Sequence, residues 1–378
     1  SYTPETIRVS NTKTPYTELA YRGNPFMDKE KDESDLKLLC TQNITPEMNL
    51  TFEYQRYGAS GMLQRERTDN RSYNIGVNYI GKKYELNAAF MGQSVKRFEN
   101  GGIKDIFWVC DTTIDTKAID VNLKSAENTL KRKTLFLTQS LAVPLNFFRK
   151  DKDSLSVGDG TVIYLGHSLE YSKYSKLYTD VIGDGSGDGR AFYHNAFNIF
   201  NNASCDSLAV TRFENKFFAT LQPFGADAIV SKLNVGAGYQ LLRFYSFAFD
   251  QFVTGAKVKP SNGTYLSANA DGTFRKYVAW DAFGKMTNTG YYAGDFKLAG
   301  NVRLSVYPIK EGIHLKGHFE LNSHTPHPFE KQLMFNHHSW NNEFSRTVET
   351  RFEGSLTIPK FDMELFAGYS MVDGMVYY

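Results

Sequence analysis

The chain has 378 residues, with 43 Lys and Arg against 41 Asp and Glu for a formal charge of +2, so there is no basic field of the kind that holds a nucleic acid. Hydrophobic residues make up 41 % and the mean hydropathy is −0.42. No apolar run approaches the roughly 18 to 20 residues of a spanning helix, which excludes a helical membrane protein but not a barrel, whose strands are apolar only at alternate positions.

Reading strands by alternation and turns by composition predicts about thirteen strands. They cover Pro15–Tyr21, Asp35–Asn43, Met48–Tyr57, Ser72–Ile80, Tyr84–Gln93, Thr134–Val143, Thr161–Tyr174, Leu208–Leu221, Lys232–Phe247, Tyr291–Tyr307, Ile313–Leu321, Thr347–Ile358 and Phe361–Met371. The clearest pair runs from Ser72 to Met91. Tyr73, Ile75, Val77 and Tyr79 share one face of its first arm, Tyr84, Leu86, Ala88 and Phe90 share one face of the second, and Gly81-Lys82-Lys83 makes the turn. The apolar row of each arm begins or ends on tyrosine, an apolar body with a polar tip, as suits a membrane–water interface. Tyr73, Tyr79, Tyr84, Phe90 and, near the C-terminus, Tyr369 are the expected lipid-interface aromatics.

Connections alternate in length. Ile44–Glu47, Gly81–Lys83, Gln222–Ser231, Pro308–Gly312 and Pro359-Lys360 are short, whereas Gly58–Arg71, Ser94–Lys133, Ser175–Ser207, Ala248–Gly290 and Asn322–Arg346 are long and polar. Short turns at one end and long loops at the other describe an outer-membrane barrel, with turns in the periplasm and loops outside. Keeping this phase requires Gly263–Phe283 to be a hairpin inside a loop and leaves Pro144–Gly160 longer than the rule. The expected fold is therefore all-β, a single transmembrane antiparallel β-barrel over residues 1–378, with about 14–16 strands when complete.

Several stretches carry a resemblance. Asn11–Tyr21, Thr41-Gln42-Asn43-Ile44, a loop centred on Gly61 and Asn70–Asn74 open the series. Leu123–Asn128, His167–Ser172 with Tyr178-Thr179-Asp180, and the tail Val372–Tyr378 follow in the same order. Together they resemble the Bacteroidetes "putative porin" family, which implies an outer-membrane β-barrel in a Gram-negative bacterium. Members of that family continue beyond Tyr378, and the strand count is odd where bacterial barrels are even, so at least one closing strand is expected to lie outside this sequence. The opening Ser1-Tyr2-Thr3-Pro4 carries no basic, apolar leader, so any signal peptide is expected to have been removed or left out.

The faces opposite the apolar rows supply the candidate pore-lining residues Glu53, Glu85, Arg303, His314, Lys316, His318, Glu320, Glu349, Arg351, Glu353, Asp362 and Glu364. One reading is a water-filled lumen whose opposed charges admit small polar solutes. The other is that these groups pair with one another, or with residues 94–133 folded inward, and hold the barrel closed. The 94–133 loop carries Phe107 and Trp108 and a short predicted helix at Val121–Lys131, which makes it a candidate lumen constriction.

Other constellations read as structure. Asp180, Asp184 and Asp188 stand four apart among glycines but lack the ligand spacing and terminal glutamate of an EF-hand, so a solvated loop is the better reading. His324, His327, His337 and His338 crowd one loop without a helix to aim two rings at a metal. His167 and Ser168 project from opposite faces of a strand, and no G-x-S-x-G elbow is present, so no enzyme is expected. Cys40 shares a face with Leu36 and Leu38, while Cys110 and Cys205 fall in long loops and could pair in an oxidising compartment. No metal and no cofactor is expected.

The primary functional expectation is passive diffusion of small hydrophilic solutes across the outer membrane, with membrane lipid and those solutes as partners. The alternative is a non-conducting structural or partner subunit of a larger outer-membrane complex with other outer-membrane proteins. A secreted β-sandwich binding glycans through Trp108, Trp280 or Trp340 is the third reading, and it requires the apolar faces to point inward.

Overall fold

The computed structural model describes residues 3–6, 9–23, 33–110, 113–144, 162–182, 188–222, 228–246 and 257–376. Its strands are β1 (Tyr16–Gly23), β2 (Ser34–Thr45), β3 (Met48–Ala59), β4 (Thr68–Ile80), β5 (Tyr84–Phe98), β6 (Glu127–Pro144), β7 (Val162–Val181), β8 (Ala203–Gln222) and β9 (Lys232–Ser246). There follow β10 (Lys257–Phe274), β11 (Val278–Thr287), β12 (Phe296–Val306), β13 (Ile313–His324), β14 (Gln332–Met334), β15 (Ser339–Asn341), β16 (Thr347–Ile358) and β17 (Met363–Asp373). Two short helices, α1 (Asp188–Phe192) and α2 (Pro328–Lys331), lie in loops.

Fifteen strands form one antiparallel sheet in which each pairs with its neighbour in sequence, β1 through β13 and then β16 and β17. The remaining two, β14 and β15, make a small hairpin inside the β13–β16 loop. Among the described residues no helix is long and apolar enough to cross a membrane.

The sheet is inside out compared with a soluble protein. On one face Asn49, Thr51, Glu53, Ser72, Asn74, Asn78 and Thr134 are buried, while on the other Leu50, Phe52, Ile75, Phe90 and Leu135 are exposed. Register continues this division: Glu53 faces Asn74 across β3–β4, whereas Phe52 faces Ile75 and then Phe90. Burying amides and hydroxyls while exposing aliphatic groups is stable only if the exposed side meets hydrocarbon. The chain is a transmembrane β-barrel wall, polar face inward, and the sandwich reading falls because its apolar faces would have to be the buried ones.

The described connections alternate in kind, while residues 145–161, expected to break the alternation, lie outside the described residues. Among the described residues, the connections after β2, β4, β10, β12 and β16 are the turns, and those after β3, β5 and β11 and the one between β13 and β16 are the loops of the other end. Three of these turns are closed by local means. The Gly81 N–H donates to the Tyr84 carbonyl at 2.9 Å, Gly312 takes a φ of +79° before β13, and Asp362 takes the left-handed conformation between Pro359 and β17.

Three expectations need correcting. Gly263–Phe283 is not a hairpin inside a loop: β10 and β11 are full wall strands, pairing with β9 and β12 on either side. Their inclusion raises thirteen strands to fifteen and brings the β10–β11 turn and the β11–β12 loop into the alternation. The segment Val121–Lys131 is not a helix; Val121 forms an isolated bridge with Ile103 and β6 has begun by Glu127. Because β5 runs on to Phe98 and β6 begins at Glu127, the long loop shrinks from 94–133 to 99–126. Cys205 lies in β8 and not in a loop, and Cys40, Cys110 and Cys205 are all free thiols. Among the described residues β1 and β17, the two ends of the strand order, do not pair with each other.

Candidate functional site

The polar face of the wall carries three groups of side chains, each set by strand register. On β2–β5 the Thr41 hydroxyl donates to Asn49 Oδ1 at 3.0 Å, and Asn74 Nδ2 donates to Glu53 Oε2 at 3.1 Å. The N-terminal segment lies over this group. Asn43 Nδ2 donates to Asn11 Oδ1 at 2.8 Å and Asn78 Nδ2 to the Ser10 carbonyl at 3.0 Å. A cavity of about 170 Å³ remains between Pro4, Val9 and the wall at Thr51, Asn78 and Phe136.

On β8–β11 Glu214 collects donors. Arg212 and Tyr265 both donate to its carboxylate, Gln240 Nε2 does so at 3.4 Å, and Lys285 Nζ sits 4.2 Å from the Tyr265 ring centre. None of these was among the expected pore residues. Alternation of Arg212, Glu214 and Lys216 with Phe213 and Phe217 was the signal that could have found most of them. Lys285 was hidden by the misassignment of β10 and β11.

On β12–β17 most of the expected residues come together. Lys297 pairs with Glu320 at 2.6 Å, His318 Nε2 lies 3.8 Å from Glu320 and Arg351 Nε donates to Glu353 at 2.6 Å. The His314 ring contacts Ser305 Oγ at 2.8 Å. Arg303 and Lys316 are direct register partners, and with His318 and Glu353 they line a cavity of about 550 Å³. Glu349 faces Asn322 in register, and Glu364 is on the same face at the exposed edge strand β17. Glu85 is apart from them, in a separate cavity of about 320 Å³ with Lys232. Asp362 is a correction: it occupies the turn before β17, because the strand begins one residue later, and it lines no wall.

The expected interface aromatics all stand on the apolar face. Tyr73 and Phe90 have ring centres 5.8 Å apart, Tyr79 and Tyr84 6.1 Å apart, and Tyr369 is exposed. That face also holds a polar chain the sequence reading missed. The Tyr84 hydroxyl donates to Gln139 Oε1, Gln139 Nε2 meets His167 Nδ1 and His167 Nε2 meets Asn215 Oδ1, at 2.7, 3.2 and 2.9 Å. Polar side chains facing hydrocarbon are tolerated when they satisfy one another.

The mouth is spanned by the β13–β16 loop, residues 325–346, which reaches the β7–β8 side of the wall. Asn336 is completely buried; its backbone N–H donates to Asp206 Oδ1 at 2.8 Å and its side chain holds the Ala203 and Phe200 carbonyls. His337 stacks on Tyr193 at 3.6 Å and contacts Ser204 Oγ, and on the near side Arg346 Nη1 donates to the Gly294 carbonyl at 2.6 Å. His327 caps α2, its Nδ1 accepting the Phe329 N–H at 3.2 Å, and burial pushes its pKa below the ordinary 6.5 against the opposing pull of Glu330. Burial likewise drives the Tyr193 phenol far above its usual range. His327 and His337 thus serve separate contacts, and His324 ends β13; among the described residues no group of three or more His, Cys, Asp or Glu is placed to hold a metal. Of the Asp180–Asp188 stretch, Asp180 accepts from Ser125 and Tyr193, and residues 183–187 lie outside the described residues.

Loop 99–126 packs over the β3–β4 loop, where Lys117 Nζ donates to the Ser60 and Leu63 carbonyls at 2.8 and 2.9 Å. Its Ile106 and Phe107 stay exposed. Beneath the loops lies a chamber of about 550 Å³, walled by Tyr178, Tyr193, Phe329, Trp340, Lys176 and Asp206 among others. The side-chain amide oxygen of Asn128, a residue that borders it, is buried without a hydrogen-bond partner.

The sequence profile of a family described as "Putative porin" matches residues 1–378. No curated protein matches. The fold is similar to the siderophore receptor PirA of Acinetobacter baumannii, at TM-score 0.58 and 10 % identity over 92 % of this chain and 51 % of that one. It is similar also to a variant of the ferric enterobactin receptor PfeA of Pseudomonas aeruginosa, at TM-score 0.60 and 10 % identity over 95 % and 53 %. The chain therefore spans about half the length of these receptors.

Proposed function

The chain belongs to the "Putative porin" family and is an outer-membrane β-barrel protein; on that premise we propose that it lets small hydrophilic solutes diffuse through a charged lumen. The observation that carries this reading is the polar face of β11–β16. There Arg303, Lys316, His318 and Glu353 border about 550 Å³ of open space instead of neutralising one another in a packed core. Mixed charges on a wet wall favour polar, hydrated solutes over apolar ones. The chamber at the mouth, bordered by Lys176, Asp206 and aromatic rings, forms the approach to that lumen. The receptors of similar fold are named for siderophores and ferric enterobactin, and small polar solutes are the class we extend to this chain. No residue is assigned a catalytic part.

A second reading, a non-conducting subunit of a larger outer-membrane assembly, draws support from the N-terminal segment lying on the polar face of β2–β5 and from the loop across the mouth. One measurement separates them. Protein refolded without partners and inserted into a planar bilayer should give stable open steps with a charge-dependent reversal potential. A folded barrel that stays silent overturns the diffusion reading and supports the second.

A further inference from the structure

On the outward face, the apolar band of β6 and β7 ends abruptly in cations. From Val143 to Leu135 the outward residues of β6, apolar but for Gln139, span roughly 26 Å along the strand at about 3.3 Å per residue, which at a tilt of about 40° is about 20 Å of the roughly 25 Å apolar belt of outer-membrane barrels. The next outward residue toward the loops is Lys133, and on β7 the next after Tyr171 is Lys173. Leu135 and Tyr171 are register partners, and so are Lys133 and Lys173. The row continues from Lys173 to Thr211 and from Thr211 to Arg243, with Lys131 one outward step beyond on β6. Lys131, Lys133, Lys173 and Arg243 are all exposed.

Like charges placed directly opposite on one sheet face repel, and an anion between two such lysines relieves the repulsion. The neighbouring strands show the usual remedy: Arg56 and Arg71, outward on β3 and β4, share Asp69 at 3.3 and 2.7 Å. Lys96 likewise has Glu127 at 2.7 Å. Among the described residues no carboxylate pairs with Lys131, Lys133, Lys173 or Arg243, and Glu170 and Glu214, the nearby acids of β7 and β8, point to the opposite face by register.

We infer that this row is a binding site for the phosphate groups of an outer-leaflet lipid headgroup. It stands on the loop side of the apolar band, where outer-leaflet headgroups lie, and its open flank faces the membrane, so the anion that completes it arrives from the lipid and not from the lumen. Leu135, Leu137, Tyr171 and Phe213 below the cations offer the surface for the acyl chains.

The test uses the full chain, purified folded in mild detergent and exposed to lipid A bearing two phosphates, to its phosphate-free analogue and to inorganic phosphate, with retention read by native mass spectrometry. The wild type should retain the phosphorylated lipid, and the triple variant K133Q/K173Q/R243Q should retain about a hundredfold less. The variant K82Q/K83Q, which removes lysines at the opposite end of the wall, should behave as wild type. If the triple variant fails the heat-modifiability test for a folded barrel, K173Q alone should lower retention about fivefold. Equal retention by folded variants, equal retention of the phosphate-free lipid, or binding of inorganic phosphate alone overturns the assignment.

Discussion

Asn336 and Asp206 are 130 residues apart in sequence, yet the backbone N–H of the first donates to the carboxylate of the second at 2.8 Å. This bond and the side-chain bonds of Asn336 fasten the β13–β16 loop to β8 and its preceding loop, across strands that are otherwise far apart in the sheet. Replacing Asn336 with Ala keeps the N–H but leaves the Ala203 and Phe200 carbonyls without their donor, at a cost of about 1–3 kcal/mol to the closed loop. Faster hydrogen exchange confined to residues 325–346 and 196–206, with the wall unchanged, is the expected result.

The lumen charges make a second prediction. Arg303→Gln with Lys316→Gln removes two cations from the same cavity, and a conducting barrel should become more cation-selective, by roughly two- to fivefold in permeability ratio. Neutralising Arg351 should matter less, because Glu353 already pairs with it. Reversal potentials in a salt gradient decide this, and unchanged selectivity would remove these residues from the conduction path.

The loop should respond to pH through His327. Its folded pKa is depressed by burial, so the contribution of the neutral ring is complete above the unfolded value near 6.5 and is lost as pH falls through the lower folded value. Protonation also fills Nδ1, the atom that accepts the Phe329 N–H. Exchange at residues 325–346, corrected for intrinsic rates, should accelerate between pH 7.5 and 5.5 in the wild type. His327→Asn, which can still cap α2, should show no such change.

Close packing on the polar face gives a fourth. Tyr265 lies across Gly238, its register partner, so closely that a β-carbon on Gly238 would fall 2.2 Å from the ring. Gly238→Ala must displace the ring that donates to Glu214, with a cost of about 1–3 kcal/mol. Glu214→Gln weakens the same cluster from the other side, and the double variant should cost less than the sum of the two. Urea midpoints of the reconstituted barrel measure all three.

Much of the wall was legible because a barrel writes itself in period two. Tyr73 to Tyr79 and Ile313 to Leu321 show clean alternation, and their faces are where the pattern put them. β10 was not legible: Pro260, Asn262, Gly263 and Gly272 are turn residues by local preference, and between Asn262 and its terminal Phe274 the one large apolar residue on its outward face is Leu266. There the register with β9 and β11 overrides propensity. Asp362 was misplaced because the last strand begins at Met363 and not at Phe361, and at a strand start alternation cannot tell the last turn residues from the first wall residue. The mouth was invisible for another reason. The contact of Asn336 with Asp206 depends on how far the wall curls, and no local pattern encodes that.

Every pairing in the wall joins strands adjacent in sequence, so it can assemble hairpin by hairpin with only short chain closures. The β13–β16 loop is different, because its docking sites on β8 exist only after five intervening strands have been laid down and bent around. Seating of Asn336 therefore comes late in folding and depends on the curvature of the wall. A chain that inserts as a flat or wrongly curved sheet would be left with an open mouth, so protease access to residues 325–346 offers a clock for the final step of assembly.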